Sequence, residues 1–194
     1  MDKKAVDAAR IEFDRAFQSI TDMGGATHLA EIERHWSAFL VASGRVYTKL
    51  EQGAKSNPRS YGWWGQKVHE RRNDPLLSYL WHARNADEHT LGAVTHQDPG
   101  YARQVEPTAE ERARFEKEMT NFPHPFAVFG VIEAQFAHVK LLDVMDRGVT
   151  YKVPYVHKGS EVANPHPNNV GLFGLKYLEE TLQEAEALMS AMPI

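Results

Sequence analysis

Apolar side chains recur at three- and four-residue steps along the first half of the chain. Val6, Ala9, Phe13, Phe17 and Ile20 form one stripe, which predicts a buried helix face between Asp2 and the Gly24, Gly25 pair. Asp2 suits the capping position, and a glycine pair ends a helix because the chain can leave it with positive φ. A second stripe, from Leu29 through Ile32, Trp36, Phe39, Leu40, Val46 and Tyr47 to Leu50, predicts a longer helix capped by Thr27 and closed at Gly53. Two long helices joined by a short glycine-rich turn form an antiparallel hairpin, the start of an up-and-down bundle. Asp74 followed by Pro75 pairs an acidic cap with proline at the first helical position, so a further helix is expected from Pro75 to about Thr90, stopping near Gly92. Leu172, Leu175, Leu178, Leu182, Ala185 and Leu188 predict a last helix from about Val170 to Met192.

The intervening segments read differently. AKSNPRSYGWWGQKVHERRND is a mixed stretch with a turn at Asn57 and Pro58. THQDPGYARQVEP reads as a loop. Thr108 and Glu111 fit a capping box that opens a short charged helix, EERARFEKEM, expected to be exposed and laced by ion pairs. From Phe126 onward β-branched and aromatic residues dominate, and Asp146, Arg147 and Gly148 signal a turn before VTYKVP; two or three antiparallel strands are expected there. VHKGSEVANPHPNN reads as a loop. The expected class is therefore α+β, mainly α: an up-and-down helical bundle with a small antiparallel β-sheet near residues 126 to 154 and a C-terminal helix. Its organisation would be a bundle over residues 1–92, a loop and charged helix over 93–125, and a sheet plus last helix over 126–194 packed on the bundle as one unit.

Composition narrows the function classes. With 194 residues the chain can bury a sizeable core. Its formal net charge is -4, so no overall basic excess points to nucleic acid, and such a role must rest on a local patch. The chain has no cysteine, which excludes disulfides, thiolate metal sites and cysteine nucleophiles. No apolar signal core or long uncharged apolar run is present, so no membrane partner is expected and a cytoplasmic protein is the default. Gly-rich phosphate loops, the G-x-S-x-G serine motif and acidic metal clusters are missing.

The candidate chemistry lies in the helix that starts at Pro75, within RNADEH. A helix turns by about 100° per residue, which places Asn85 and His89 on one face with His82, and sets Arg84 roughly 140° from His89. On its own this pattern fits an ordinary charged helix in which Arg84 pairs with Asp87 or Glu88. The motif R-N-x-x-x-H, carried by Arg84, Asn85 and His89, nevertheless resembles the signature of HEPN domains (higher eukaryotes and prokaryotes nucleotide-binding). That signature is an arginine, four to six residues, then a histidine, often with a polar residue straight after the arginine. The resemblance covers about the first half of the chain, at the shortest spacing the pattern allows.

The resemblance implies a helical bundle and a metal-independent endoribonuclease that cleaves single-stranded RNA through 2′-hydroxyl attack, usually as a homodimer with two facing motifs. It implies that Arg84 binds the scissile phosphate, that Asn85 helps orient it and that His89 handles the proton. No cofactor and no metal enter that chemistry. The residue types suit it: histidine titrates near neutrality, and a guanidinium grips phosphate with two hydrogen bonds. Just upstream, Arg59, Lys67, Arg71 and Arg72 form the most basic run, interleaved with Tyr61, Trp63 and Trp64. This run is a candidate substrate-binding surface, with Trp63 stacking on a base and His82 adding to it. Two alternatives stay open: a non-catalytic HEPN-like module that binds a nucleotide or a protein, and a metal-binding protein using His82, His89 and His96. Adjacent histidines in that last series are separated by about 10 Å along a helix, so a third element would have to join them.

Overall fold

The structure, a computed structural model, describes residues 1–89, 93–119 and 131–190. The protein belongs to the α+β class, mainly α; six helices and several small two-stranded sheets are seen among the described residues. Residues 1–97 and the chain from residue 139 onward make one compact unit, and residues 98–138 make another. These boundaries cut the chain at other places than the ends of the 1–92 and 93–125 segments expected from sequence.

In the larger unit, α1 (Lys3–Gly25) and α2 (Leu29–Ala54) form the expected hairpin. Asp2 caps α1 by accepting the Ala5 N–H at 2.9 Å. Phe17, expected in the buried stripe, is exposed; Ala16 takes the inward position instead. α2 begins after His28 rather than Thr27, because the Glu31 carboxylate reaches back to the N–H groups of both, at 3.3 Å for Thr27 and 3.4 Å for His28. Gly53 lies inside α2 and does not close it. A Cβ there would stand 2.7 Å from the Ala5 Cβ, so the missing side chain lets α1 approach.

The mixed basic and aromatic stretch is a helix, α3 (Pro58–Asn73). Asn57 is its cap, accepting from the N–H groups of Arg59 (2.8 Å) and Ser60 (3.1 Å), with Pro58 in the first turn. Gly62 and Gly65 mislead a propensity reading; both face open space, and the buried Trp64 anchors the helix. α4 (Pro75–His89) follows after Asp74, whose Oδ1 accepts the Leu77 N–H at 3.0 Å. The expected stop near Gly92 lies outside the described residues.

The last helix, α6 (Pro167–Ser190), starts three residues before the expected Val170. Its glycines decide how closely it packs. A Cβ on Gly174 would lie 2.6 Å from Leu80 Cδ1 and 3.2 Å from Phe39 Cζ, and one on Gly171 would overlap the end of Ile20. Leu172, expected inward, is exposed beside that glycine. The core is fully buried at Trp36, Phe39, Leu50, Leu76, Tyr79 and Leu182, each such side chain contributing about 1.5–3 kcal/mol by leaving water.

Among the described residues the strands form four two-stranded sheets rather than one sheet near residues 126 to 154, and the segments of β1, β2, β7 and β8 are ones whose sequence predicts loops. β1 (Thr95–Asp98) pairs with β4 (His138–Leu141), and the Leu142 N–H donates to the Val94 carbonyl at 3.0 Å. β5 (Val144–Asp146) and β6 (Val149–Tyr151) form an antiparallel hairpin, and β7 (Val156–His157) and β8 (Ser160–Glu161) a shorter one. Arg147 (φ 51) and Gly148 (φ 79) both take positive φ at the first hairpin tip, the geometry that follows the twist of paired strands. The Tyr79 hydroxyl donates to the Leu142 carbonyl at 2.8 Å and ties this region to α4.

In the smaller unit, β2 (Tyr101–Val105) pairs antiparallel with β3 (Val131–Gln135), from Tyr101 opposite Gln135 to Val105 opposite Val131. Gly100, at φ 70, packs against the backbone of Gln135 to Ala137 where any side chain would collide. The charged helix α5 (Ala109–Met119) carries the expected capping box: Glu111 accepts from Thr108 N at 2.8 Å, and Thr108 Oγ1 accepts from Glu111 N at 3.3 Å. Residues 126–130, where the first strand was expected to start, lie outside the described residues. Among the described residues no helix is long and apolar enough to cross a membrane.

Candidate functional site

α4 carries side chains to two surfaces, as its 3.6-residue repeat requires. Leu76, Leu77, Leu80 and Ala83 enter the core, while Ser78, His82 and Asn85 face the β5–β6 hairpin. His82 and Asn85 are three residues apart and therefore neighbours on the helix surface. Both converge on one oxygen. Asp146 Oδ2, at the end of β5, accepts from His82 Nδ1 at 2.7 Å and from the Asn85 side-chain amide at 3.0 Å. Those two donors, the Asn85 amide first and the imidazole second, outweigh partial burial and hold the Asp146 carboxyl below the usual carboxylate range. Tyr151, on β6, lies flat on the imidazole, with ring centroids 3.5 Å apart and planes 10° apart.

These groups line a cavity of about 1000 Å³ together with four arginines: Arg71, Arg72, Arg84 and Arg147. Arg71 comes from the last turn of α3 and is held over the Trp81 ring, 3.7 Å from its centroid, and over Tyr47 at 5.1 Å. Burial pulls its pKa below the usual arginine value, partly offset by Tyr47, yet a guanidinium in this range stays charged. Arg72 and Arg147 are exposed, and among the described residues neither side chain is taken up by a hydrogen bond or a short ion pair. Arg84 is half-buried. Its Nε stands 2.6 Å from Glu88 Oε2 across one helical turn, a close ion pair without hydrogen-bond alignment, and its Nη1 reaches Asn85 Oδ1 at 3.4 Å. Asp87, the other partner expected for Arg84, accepts instead from the Ser37 hydroxyl at 2.6 Å.

Of the residues singled out in the sequence, the fold thus gathers Arg71, Arg72, His82, Arg84 and Asn85 on one cavity. It places Arg59, Trp63 and Lys67 away from that cavity. Arg59 is exposed at the start of α3. Trp63 donates its indole N–H to Glu184 at 2.7 Å. Lys67 is buried between Glu184 (2.8 Å) and Glu70 (3.2 Å), so its charge is neutralised inside the α3–α6 contact. The backbone of His89 ends α4; its side chain lies outside the described residues. Asp146, Arg147 and Tyr151 also line the cavity, and in the sequence they signal only a turn and a strand. Their pairing with α4 spans more than 60 residues of sequence, and a turn tripeptide carries no signal of what it will meet. Among the described residues no group of three histidine, aspartate or glutamate side chains is placed to hold a metal ion.

Chemically, the cavity offers several fixed cations to an anion, one oriented imidazole, and aromatic surface at Tyr151 and Trp81. Comparison of the chain with protein-family models, curated proteins and solved structures finds no match.

Proposed function

We propose that this chain is a HEPN-like, metal-independent endoribonuclease that receives single-stranded RNA in the arginine-lined cavity. The observation that carries this reading is the convergence of Arg71, Arg72, Arg84 and Arg147 on one cavity beside Asn85 and an imidazole, in a chain whose net charge is -4. Four guanidiniums against the carboxylates of Asp146 and Glu88 leave a net positive local charge that the composition as a whole conceals. Phosphodiester is the natural guest, since guanidinium binds phosphate oxygens in pairs and stays charged. In this reading Arg84 binds the scissile phosphate, Asn85 orients it, and Arg72 and Arg147 hold flanking phosphates. The motif resemblance assigns proton transfer to His89 and a homodimer to the active form, which sedimentation of the purified protein checks.

A second reading is a non-catalytic module that binds a nucleotide or RNA without turnover. The Arg84–Glu88 ion pair favours it, because a guanidinium already neutralised must give up its partner to grip phosphate. Incubation of labelled single-stranded RNA with the purified protein in EDTA separates the two. The nuclease produces fragments ending in 2′,3′-cyclic phosphate and spares DNA of the same sequence. Binding that weakens in Arg72→Ala and Arg147→Ala, with no cleavage, selects the module. Absence of RNA binding refutes the nuclease and the RNA-binding form of the module.

A further inference from the structure

We propose that His82, held by Asp146, is a proton-transfer residue of this cavity. The inference rests on the ribonuclease reading and deepens it by naming a group the motif does not contain. Asp146 is ionised and can only accept, so the 2.7 Å contact requires His82 to donate from Nδ1. The neutral ring then carries its lone pair on Nε2. This is the tautomer a general base needs, and it is set by the carboxylate on the opposite nitrogen.

Three contacts hold the ring in place. Asp146 fixes its Nδ1, Tyr151 covers one face at 3.5 Å, and Asn85 anchors the same Asp146 oxygen from one helical turn away. The charged neighbours on the cavity are Asp146 on one side and Arg71, Arg72, Arg84 and Arg147 on the others. Asp146 stabilises the imidazolium that forms when the base takes its proton. The arginines stabilise the charge that builds on phosphorus-bound oxygens.

The step is an intramolecular transesterification. His82 Nε2 takes the proton of the ribose 2′-hydroxyl, and the 2′-oxygen bonds to phosphorus. The bond from phosphorus to the 5′-oxygen of the next nucleotide breaks. That oxygen leaves with a proton supplied on the opposite side of phosphorus, the transfer that the motif resemblance gives to His89, and the His82 imidazolium returns its proton to solvent. The products are a 2′,3′-cyclic phosphate and a 5′-hydroxyl, with no oxidant, metal or cofactor required. His82 is the catalytic residue and Asp146 a positioning residue.

The test compares the full-length protein with His82→Gln, His82→Ala, Asp146→Asn and an exposed control that does not line the cavity, His69→Ala, in EDTA. The readouts are cleavage of labelled single-stranded RNA and binding of a 2′-deoxy analogue that cannot be cleaved. Expected are a loss of kcat of about 100-fold or more in His82→Gln with affinity for the analogue retained, and wild-type cleavage in His69→Ala. Added imidazole should restore part of the activity of His82→Ala, a response that loss of a purely structural side chain does not show. Asp146→Asn should lower kcat with KM little changed. Wild-type kcat in His82→Gln, or His82→Ala that binds normally and ignores imidazole, overturns the assignment of His82 while leaving the ribonuclease intact. A wild-type protein that cleaves no RNA overturns the ribonuclease reading and this inference with it.

Discussion

Gly44 on α2 is the seat of Arg84: a Cβ at position 44 would stand 3.0 Å from Arg84 Nε and 3.1 Å from its Cδ. The half-buried arginine of the RNADEH motif reaches the cavity along a path that only glycine leaves open. A helix interior normally disfavours glycine by about 1 kcal/mol relative to alanine, so its presence here trades helix propensity for placement of a charged side chain.

Gly44→Ala therefore separates stability from binding. The helix gains up to about 1 kcal/mol in propensity, and the displaced arginine shaft gives most of it back. The expected outcome is a Tm close to wild type together with an affinity for single-stranded RNA lowered by about 1 kcal/mol, roughly fivefold. Thermal unfolding followed by circular dichroism, with binding followed by fluorescence anisotropy, checks both halves. A variant that binds RNA like wild type would show that the position of Arg84 is irrelevant to the cavity.

The exposed arginines should show themselves in salt dependence. If Arg72 and Arg147 each neutralise one phosphate of a single strand, each alanine variant reduces the slope of log affinity against log salt by about 0.7. Titration of labelled RNA at a series of salt concentrations measures this. Slopes identical to wild type in both variants would remove these two residues from the interface.

Asp74 joins the start of α4 to the β7–β8 hairpin. Burial alone would raise its pKa, but the N–H of Lys158 at 2.7 Å, His157 Nδ1 at 3.0 Å and the N–H of Leu77 at 3.0 Å together bring it below the usual value. A depressed carboxyl binds fewer protons in the folded state than in the unfolded one. Its stabilisation is thus present above the ordinary aspartate pKa and disappears as the pH falls through the lower folded value. Asp74→Asn should cost about 1–3 kcal/mol near neutral pH, and the gap to wild type should close as the pH drops below about 4. Urea unfolding of both proteins at several pH values reads the gap directly. A difference that stays constant into acid would mean that the charge of Asp74 contributes nothing.

Five of the six helices seen among the described residues start within three residues of where the sequence places them, and the reason is local. The stripes of α1, α2 and α6 and the Asp74, Pro75 start of α4 are written in three- and four-residue steps and in caps that act on their own first turn. α5 could be recognised by its Thr108, Glu111 box for the same reason. α3 could not, because Gly62 and Gly65 speak against a helix locally and the burial of Trp64 speaks for it only once the core exists.

Strand pairing was the harder part. β2 finds β3 and β1 finds β4 across long stretches of chain, and a two-residue alternation says that a segment pairs but not with what. The candidate site divides along the same line. Arg71, Arg72, His82, Arg84 and Asn85 are legible as a basic, polar run around one helix start, since residues close in sequence stay close in space. Whether they share a cavity depended on the β5–β6 hairpin bringing Asp146, Arg147 and Tyr151 against α4, and on Lys67 being drawn inward by Glu184 of α6. The sequence by itself determined which residues bear charge and which helices carry them, because those properties are local. Only the tertiary structure decided which charges meet, because ion pairs and ring contacts depend on distances that chain order does not encode.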